Sequence, residues 1–508
     1  MITHDAVDFS PAALIGADRP ALIEDGTGRT TTFAELDAAA DGFAAALLAD
    51  GLRPSEVVAV AMDNGPDFVV AFRGVLRAGG IILLLDPRAP DPVWERALTT
   101  GARRIVADHD LTPRLARLRL ERTVAQVELR SPGQSTVDRT GGALPALPAP
   151  DLTAVLAASS GTGGRVKHAP LTHANLAANL GQIHARHLLT AQDIVVAVTP
   201  WRHIYGMQMA MNHTLAVGGR LVILDGRFEL SRLLTAIHRH RITVAYLVPD
   251  TIIRLADHPL EGYDLSCLRA IFSGGAPLPT EVAAALSQRL GIPVLQGYGM
   301  TEAGCTHLVP DGVPAPMGSI GLPLPRTEVR IADPDTGMPV PVGRVGELWV
   351  RGPQVSPGYL DDPAATAELR TPDGWLRTGD LARVDDAGFC TITGRRKDMI
   401  KYKGYQVSPV ELEAILLAHP DIREAAVVGV PDPICGELPK AFVVVERDLP
   451  EQAIFDHVAA QVAPQYRIRL VEQVATLPRN AMGKVIRTML TSEVQAARGD
   501  DSVPLAGR

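Results

Sequence analysis

Apolar residues in this chain fall in short unbroken runs that alternate with longer amphipathic stretches. Val57-Val58-Ala59-Val60-Ala61-Met62 and Gly80-Ile81-Ile82-Leu83-Leu84-Leu85 read as buried strands. A helix over 68–78 lies between them, and an Ala-rich helix over 34–50 precedes them. The alternation returns with strands at 194–198, 221–224 and 244–248 and a helix over 229–240. Strands apolar on both faces and separated by helices imply parallel sheets covered on both sides, hence an α/β protein. From about 320 to 390 the segments shorten and Gly and Pro become frequent, which predicts antiparallel strands in a small barrel-like subdomain. Beyond Lys397 come a helix over 409–418, with Ser408 as N-cap and Pro409 in its first turn, and strands at 427–430 and 441–445. The stretch 130–152, rich in Pro, Gly, Ser and Thr, reads as a surface connection, and the chain beyond Ala496 as a polar, disordered tail.

Composition narrows the class. A chain of 508 residues exceeds one core, so at least two domains are expected. A net charge of −8 leaves no basic excess for a phosphate backbone, which argues against nucleic acid as an obligate partner. The start lacks a basic segment followed by an apolar one, and no run of about 18 uncharged apolar residues occurs; neither a secretory signal nor a membrane span is read. Four cysteines lie far apart, with no C-x-x-C pair, so neither a zinc site nor a disulfide framework is suggested. The expected compartment is the reducing cytoplasm.

Three segments carry candidate chemistry. After the apolar run 152–158 comes Ser159-Ser160-Gly161-Thr162-Gly163-Gly164-Arg165-Val166-Lys167, a small-residue loop ending in a lysine. Such a loop lets backbone N–H groups close around phosphate oxygens, because glycine has no Cβ to hold them off; taken alone it could equally be a strand-to-helix turn. Gln296-Gly297-Tyr298-Gly299-Met300-Thr301-Glu302-Ala303-Gly304 places a lone carboxylate in a Gly-bracketed turn. Thr378-Gly379-Asp380 is followed by Gly394-Arg395-Arg396-Lys397-Asp398. In this order and spacing the segments resemble the adenylate-forming superfamily of acyl-CoA synthetases, luciferases and peptide-synthetase adenylation domains. Within it the nearest likeness is to the 4-coumarate:CoA ligase branch, and it runs through most of the chain.

The resemblance implies a large N-terminal domain over 1–396, built of two parallel-type sheets with helices and the barrel-like subdomain. It also implies a small mobile α+β C-terminal domain over 398–508, with a hinge at Lys397. ATP and AMP would be held by Ser159, Ser160, Gly161, Thr162, Gly163, Gly164 and Lys167, by Gly274, Gly275 and Ala276, and by Gly297, Tyr298, Gly299, Met300 and Thr301. Asp380 would bind the ribose with help from Arg395, while Lys401 and Gln406 would reach the nucleotide or the adenylate after the C-terminal domain rotates. Glu302, with Thr162, would hold Mg²⁺, which offsets repulsion between an attacking carboxylate and the α-phosphate. Lys484, set between Gly483 and Val485, would bridge the incoming oxyanion and the α-phosphate. Lys401, His203 and Thr301 complete the catalytic group. Pro200-Trp201-Arg202-His203-Ile204-Tyr205-Gly206 is similar to the branch's acid-pocket segment, which points to His203, Tyr205, Met209, Ser273, Gly274 and Gly299 as the pocket. Gly404 fits close approach by the pantetheine arm of CoA.

Four positions depart from the family pattern: Gly163 where a second hydroxyl is usual, Val166 for proline, His168 for glycine or alanine, and Arg202 for an aromatic. Gly163 would remove one hydrogen bond to a charged phosphate, worth roughly 1.5–3 kcal/mol. Arg202 could serve an anionic reactant or be a surface residue. The leading expectation is an aryl or arylpropenoic acid:CoA ligase using ATP, Mg²⁺ and CoA, acting as a monomer or homodimer. Three alternatives stand beside it: ATP-dependent activation of nitrite to diazotise an aryl amine, loading of an acyl group onto a carrier protein, and a non-catalytic adenylate binder.

Overall fold

The computed structural model describes residues 16–108, 111–115, 125–126, 148–160, 166–224, 228–479 and 485–491. The surface connection and the tail expected from composition lie largely or wholly outside them. Most of the expected strands and helices appear within a residue or two of their expected ends. The helix Phe33–Ala49 starts where a capping box allows it: Thr32 Oγ1 accepts from the Glu35 N–H while Glu35 accepts from the Thr32 N–H, an arrangement worth about 1 kcal/mol. It packs on the helix Pro66–Arg77, and Gly74 makes the approach possible, since a Cβ there would lie 2.7 Å from the Phe43 ring. The buried Arg73 at this contact is paired with Asp37 at 3.0 Å.

Two sheets form the larger part of the molecule. One has nine strands, in the order Leu322–Pro323, Gly304–Leu308, Val294–Met300, Ala270–Ser273, Val244–Leu247, Ile194–Ala197, Arg220–Ile223, Pro20–Glu24 and Thr30–Thr32. Its six middle strands run parallel, and the outer pairs are antiparallel. The other has six strands, Ala125–Gln126, Arg104–Ala107, Val57–Ala61, Ile81–Leu84, Thr153–Ser160 and Val166–Thr172, parallel except for its last pair. The main core joins residues of both, Val58 and Ile82 from one and Val195 and Phe272 from the other.

A four-stranded antiparallel sheet, Glu328–Ala332, Gly346–Arg351, Leu376–Val384 and Cys390–Arg395, fills the stretch read as the barrel-like subdomain. Past it, Ile400–Tyr402 and Tyr405–Val407 form a hairpin joined to Gly436–Val445, Ile422–Asp432 and Leu470–Gln473. The helix Pro409–Leu417 packs on this last sheet, and Ser408 Oγ accepts from the Glu411 N–H as its cap. Lys403 and Gly404 make the two-residue turn of the first hairpin, with φ of 49° and 82°, the signature of a type I′ turn. The turn accounts for glycine at this position by its backbone conformation. No helix among the described residues is long and apolar enough to cross a membrane.

Candidate active site

The Gly-rich loop does not lead from a strand into a helix. It joins two antiparallel strands, Thr153–Ser160 and Val166–Thr172, whose register places Ser159 opposite Lys167 and Ser160 opposite Val166. Cross-strand partners share a face, so Ser159 and Lys167 stand together at the mouth of the loop. His168, one residue on, takes the opposite face; it is buried, and burial lowers its pKa. Gly161, Thr162, Gly163 and Gly164 lie outside the described residues, as does Lys484.

Glu302 sits in the turn between Val294–Met300 and Gly304–Leu308. That turn is tight: a Cβ on Gly299 would lie 2.3 Å from the Gly304 carbonyl oxygen, and Gly304 has a φ of 57°. Asn179 pins it from below by exchanging hydrogen bonds with Cys305, Nδ2 to O at 2.7 Å and N–H to Oδ1 at 3.2 Å. Glu302 is only 3% exposed. Its Oε1 accepts from Ser159 Oγ at 2.5 Å and from the Tyr359 hydroxyl at 2.6 Å. Among the described residues no cation pairs with it, although a buried carboxylate is ordinarily paired or bound to a metal. Nor do the described residues hold any cluster of three metal-ligating side chains. A single hard oxygen ligand of this kind fits Mg²⁺, which takes one or two carboxylates and completes its shell with phosphates and water.

A second group lies on the neighbouring antiparallel sheet. Asp380 and Arg395 are register partners, and Arg395 Nε donates to Asp380 Oδ1 at 2.6 Å. Tyr298 donates its hydroxyl to Asp380 Oδ2 at 2.5 Å. Burial, and then the adjacent carboxylate, pushes the Tyr298 pKa up, so the phenol remains a donor. The residues expected at adenine and ribose are thus brought together by three strands from two sheets. Thr301 occupies the same turn as Glu302, Met300 ends the strand before it, and Gly297 precedes Tyr298.

The residues expected at the acid pocket begin on the strand beside Val294–Met300. Ala270–Ser273 ends in Ser273, whose buried Oγ has no partner among the described residues, followed by Gly274, Gly275 at a φ of 87°, and Ala276. A Cβ on Gly274 would come within 2.8 Å of the Tyr205 ring. Tyr205 begins a π-helix, Tyr205–Asn212, which carries Met209 inward; single π turns recur at functional sites. The Tyr205 hydroxyl donates to the main-chain oxygens of Phe272 at 2.9 Å and Leu247 at 3.3 Å, so the hydroxyl is engaged by the main chain. Gly206 admits no side chain, because a Cβ would sit 2.4 Å from the Pro200 oxygen. His203 is held neutral: burial, with Arg202 adding to it, lowers its pKa to about 4.

Arg202 is neither a surface residue nor a free cation. It is 9% exposed and paired with Asp86 at 3.2 Å and Asp63 at 3.7 Å, which lie in the loops after Ile81–Leu84 and Val57–Ala61 of the six-stranded sheet. Lys401 and Gln406 face each other across the Ile400–Val407 hairpin and are exposed. Among the described residues neither forms a hydrogen bond or ion pair with the Glu302 or Asp380 groups. Lys397 lies in the short 3₁₀ turn Arg396–Asp398, directly after Arg395.

Sequence reasoning missed Tyr359. Its only signal was an aromatic residue in the Gly/Pro-rich stretch Pro357-Gly358-Tyr359.

With this geometry in hand, the likeness to known proteins is specific. Residues 11–360 match the AMP-binding enzyme family, and 411–484 match the AMP-binding enzyme C-terminal domain. A 4-coumarate–CoA ligase-like protein of Oryza sativa subsp. japonica is 35% identical, with 92% of this chain and 89% of that protein covered. Among solved structures, ATP-bound MatB from Rhodopseudomonas palustris superposes with a TM-score of 0.90 at 29% identity, covering 97% of this chain and 99% of that one. The anthranilate CoA ligase AuaEII in complex with anthranoyl-AMP gives 0.88 at 27% identity, covering 98% and 99%. The chain belongs to the AMP-binding enzyme family and is an AMP-forming enzyme of the acid–CoA ligase kind.

Proposed function

We propose that this protein activates an aryl or arylpropenoic acid with ATP and transfers the acyl group to CoA. The observation that supports this best is Glu302, a buried carboxylate with no cation partner among the described residues; the neutral His203 and the Tyr205 ring, packed against Gly274, are the residues read as the acid site. In the first half-reaction a carboxylate oxygen of the acid attacks the α-phosphorus, the bond to the β-phosphate oxygen breaks, and pyrophosphate leaves. Ser159 and Lys167 hold the phosphates, Asp380 and Arg395 the ribose, and Tyr298 the adenine. A bound Mg²⁺, held by Glu302, supplies charge neutralisation at the phosphates. A neutral imidazole at His203 orients the acid by hydrogen bonding, without the competing attraction a cation would exert on a carboxylate elsewhere. Lys484 meets the charge that develops between acid oxygen and α-phosphate. In the second half-reaction the CoA thiolate attacks the acyl carbon, the bond to the AMP oxygen breaks, and the thiol proton goes to solvent. Rotation about Lys397, between domains over 1–396 and 398–508, would bring Lys401 and Gln406 to the adenylate for that step.

The pairing of Arg202 with Asp86 and Asp63 withdraws the free cation that would have favoured an anionic second reactant. The deciding experiment is pyrophosphate release across a panel of aryl acids with and without CoA, set against nitrite with aryl amines. Acyl-CoA formed from any aryl acid bears the proposal out. AMP formation that requires nitrite, with no acyl-CoA across the panel, overturns it.

A further inference from the structure

The segment Ser356–Leu360 crosses both halves of the nucleotide site and grips each at several atoms. The Ser356 N–H donates to the Glu302 carbonyl oxygen at 2.8 Å, and Ser356 Oγ donates to the Pro170 oxygen at 2.8 Å. The Leu360 N–H donates to the His168 oxygen at 2.9 Å. Between them, the Tyr359 hydroxyl donates to Glu302 Oε1 at 2.6 Å, and the Lys167 ammonium lies 4.9 Å from the centroid of the same ring. One side chain thus touches the carboxylate on one sheet and the loop lysine on the other. Ser159, the cross-strand partner of Lys167, donates to the same Oε1. Two donors on one oxygen fix the plane of the carboxylate, and among the described residues Oε2 accepts nothing.

We infer that Tyr359 is a positioning residue of the nucleotide site: its hydroxyl orients the Glu302 carboxylate for the magnesium of bound ATP, and its ring steadies Lys167 for the phosphates. This rests on the reading of Glu302 and Lys167 proposed above. The two contacts are separable, because phenylalanine keeps the ring and removes the hydroxyl, whereas leucine removes both.

The test is equilibrium binding of ATP to the full-length protein, without acid or CoA, by calorimetry across a Mg²⁺ titration and again in EDTA. Tyr359→Phe should raise the half-saturating Mg²⁺ concentration about tenfold, the scale of one hydrogen bond to a charged group, and leave ATP affinity in EDTA unchanged. Tyr359→Leu should in addition weaken ATP binding in EDTA by about threefold, the scale of a partly exposed cation–π contact. The melting temperature of each unliganded variant separates a structural role from a positioning one. A lowered melting temperature with an unmoved Mg²⁺ titration in Tyr359→Phe would make the residue structural and overturn the inference. Glu302→Gln is the reference. If it loses the Mg²⁺ dependence while Tyr359→Phe retains it, the inference about Tyr359 fails alone. If Glu302→Gln itself titrates like wild type, the reading of Glu302 fails first and takes the inference with it.

Discussion

Tyr298 and Asp380, 82 residues apart in sequence, share a hydrogen bond of 2.5 Å that ties the last parallel strand of the nine-stranded sheet to the antiparallel sheet beside it. Removing the hydroxyl leaves the Asp380 carboxylate with Arg395 as its one side-chain donor among the described residues. Tyr298→Phe should therefore raise the KM for ATP about tenfold, the scale of one charge-assisted hydrogen bond, with the KM for the acid unchanged. Steady-state kinetics varying each substrate in turn check this; a shift confined to the acid would contradict the placement of Asp380 at the nucleotide.

His203 carries the pH prediction. Its pKa falls from 6.5 to about 4 on folding, so between those values the unfolded chain binds the proton and the folded one does not. Stability contributed through this residue is therefore full above pH 6.5 and is lost as pH falls toward 4, with a slope of up to about 1.4 kcal/mol per pH unit. Melting temperatures from pH 7 to 4.5 should fall more steeply for wild type than for His203→Gln. Equal slopes would show that the imidazole is not held neutral.

Arg202 joins the pocket segment to Asp86 and Asp63. Breaking a buried ion pair from one side costs about 3–5 kcal/mol, but Asp86 and Asp63 keep contact with water, so Arg202→Ala should destabilise by about 2 kcal/mol. Urea denaturation measures this. Asp86→Asn in the Arg202→Ala background should recover part of the loss, since the Asp86 charge is then gone and Asp63 keeps its pairing with Arg88 at 2.6 Å.

Lys484→Ala should cut adenylate formation by a factor of about 10²–10³, by analogy with loss of an oxyanion donor, and spare thioester formation from a pre-made adenylate. Pyrophosphate release and acyl transfer, assayed separately, distinguish the steps. Comparable loss in both would remove Lys484 from its assigned role.

Lys397→Pro fixes φ at the residue between the two proposed domains. It should leave pyrophosphate release in place and slow the CoA-dependent step. Lys401→Ala should likewise affect the CoA step more than the first. If both half-reactions of the proline variant run at wild-type rates, the pivot lies elsewhere.

The strand–helix alternation was readable because Val57–Ala61, Ile81–Leu84 and Val244–Leu247 are buried on both faces and show as continuous apolar runs. Helix starts were readable where Ser408 offers its oxygen to a free N–H. Strands of the C-terminal sheet were under-read: Ile422–Asp432 and Gly436–Val445 extend well past their apolar centres, because Arg423, Glu424, Glu437 and Lys440 occupy partly open faces of an antiparallel ladder. The motif residues Tyr298, Glu302, Asp380 and Arg395 were visible as local signatures, yet their mutual contacts were not. Tyr359 meets Glu302 only through tertiary structure, across 57 residues. The role of Arg202 stayed open between an anionic reactant and the surface, because a charge beside Trp201 carries no hint of two aspartates arriving on loops that follow strands of another sheet.

The proposed wall of the acid pocket is hung from main-chain atoms. Tyr205 is fastened to the carbonyl oxygens of Leu247 and Phe272, atoms that survive any exchange of side chain at those two sites. Inheritance can therefore alter the neighbours of this ring, one at a time, without moving the ring itself. If Tyr205 walls the acid pocket as proposed, such a fixed reference surface would let the scaffold drift from one acid to another while the proposed ATP apparatus stays as it was.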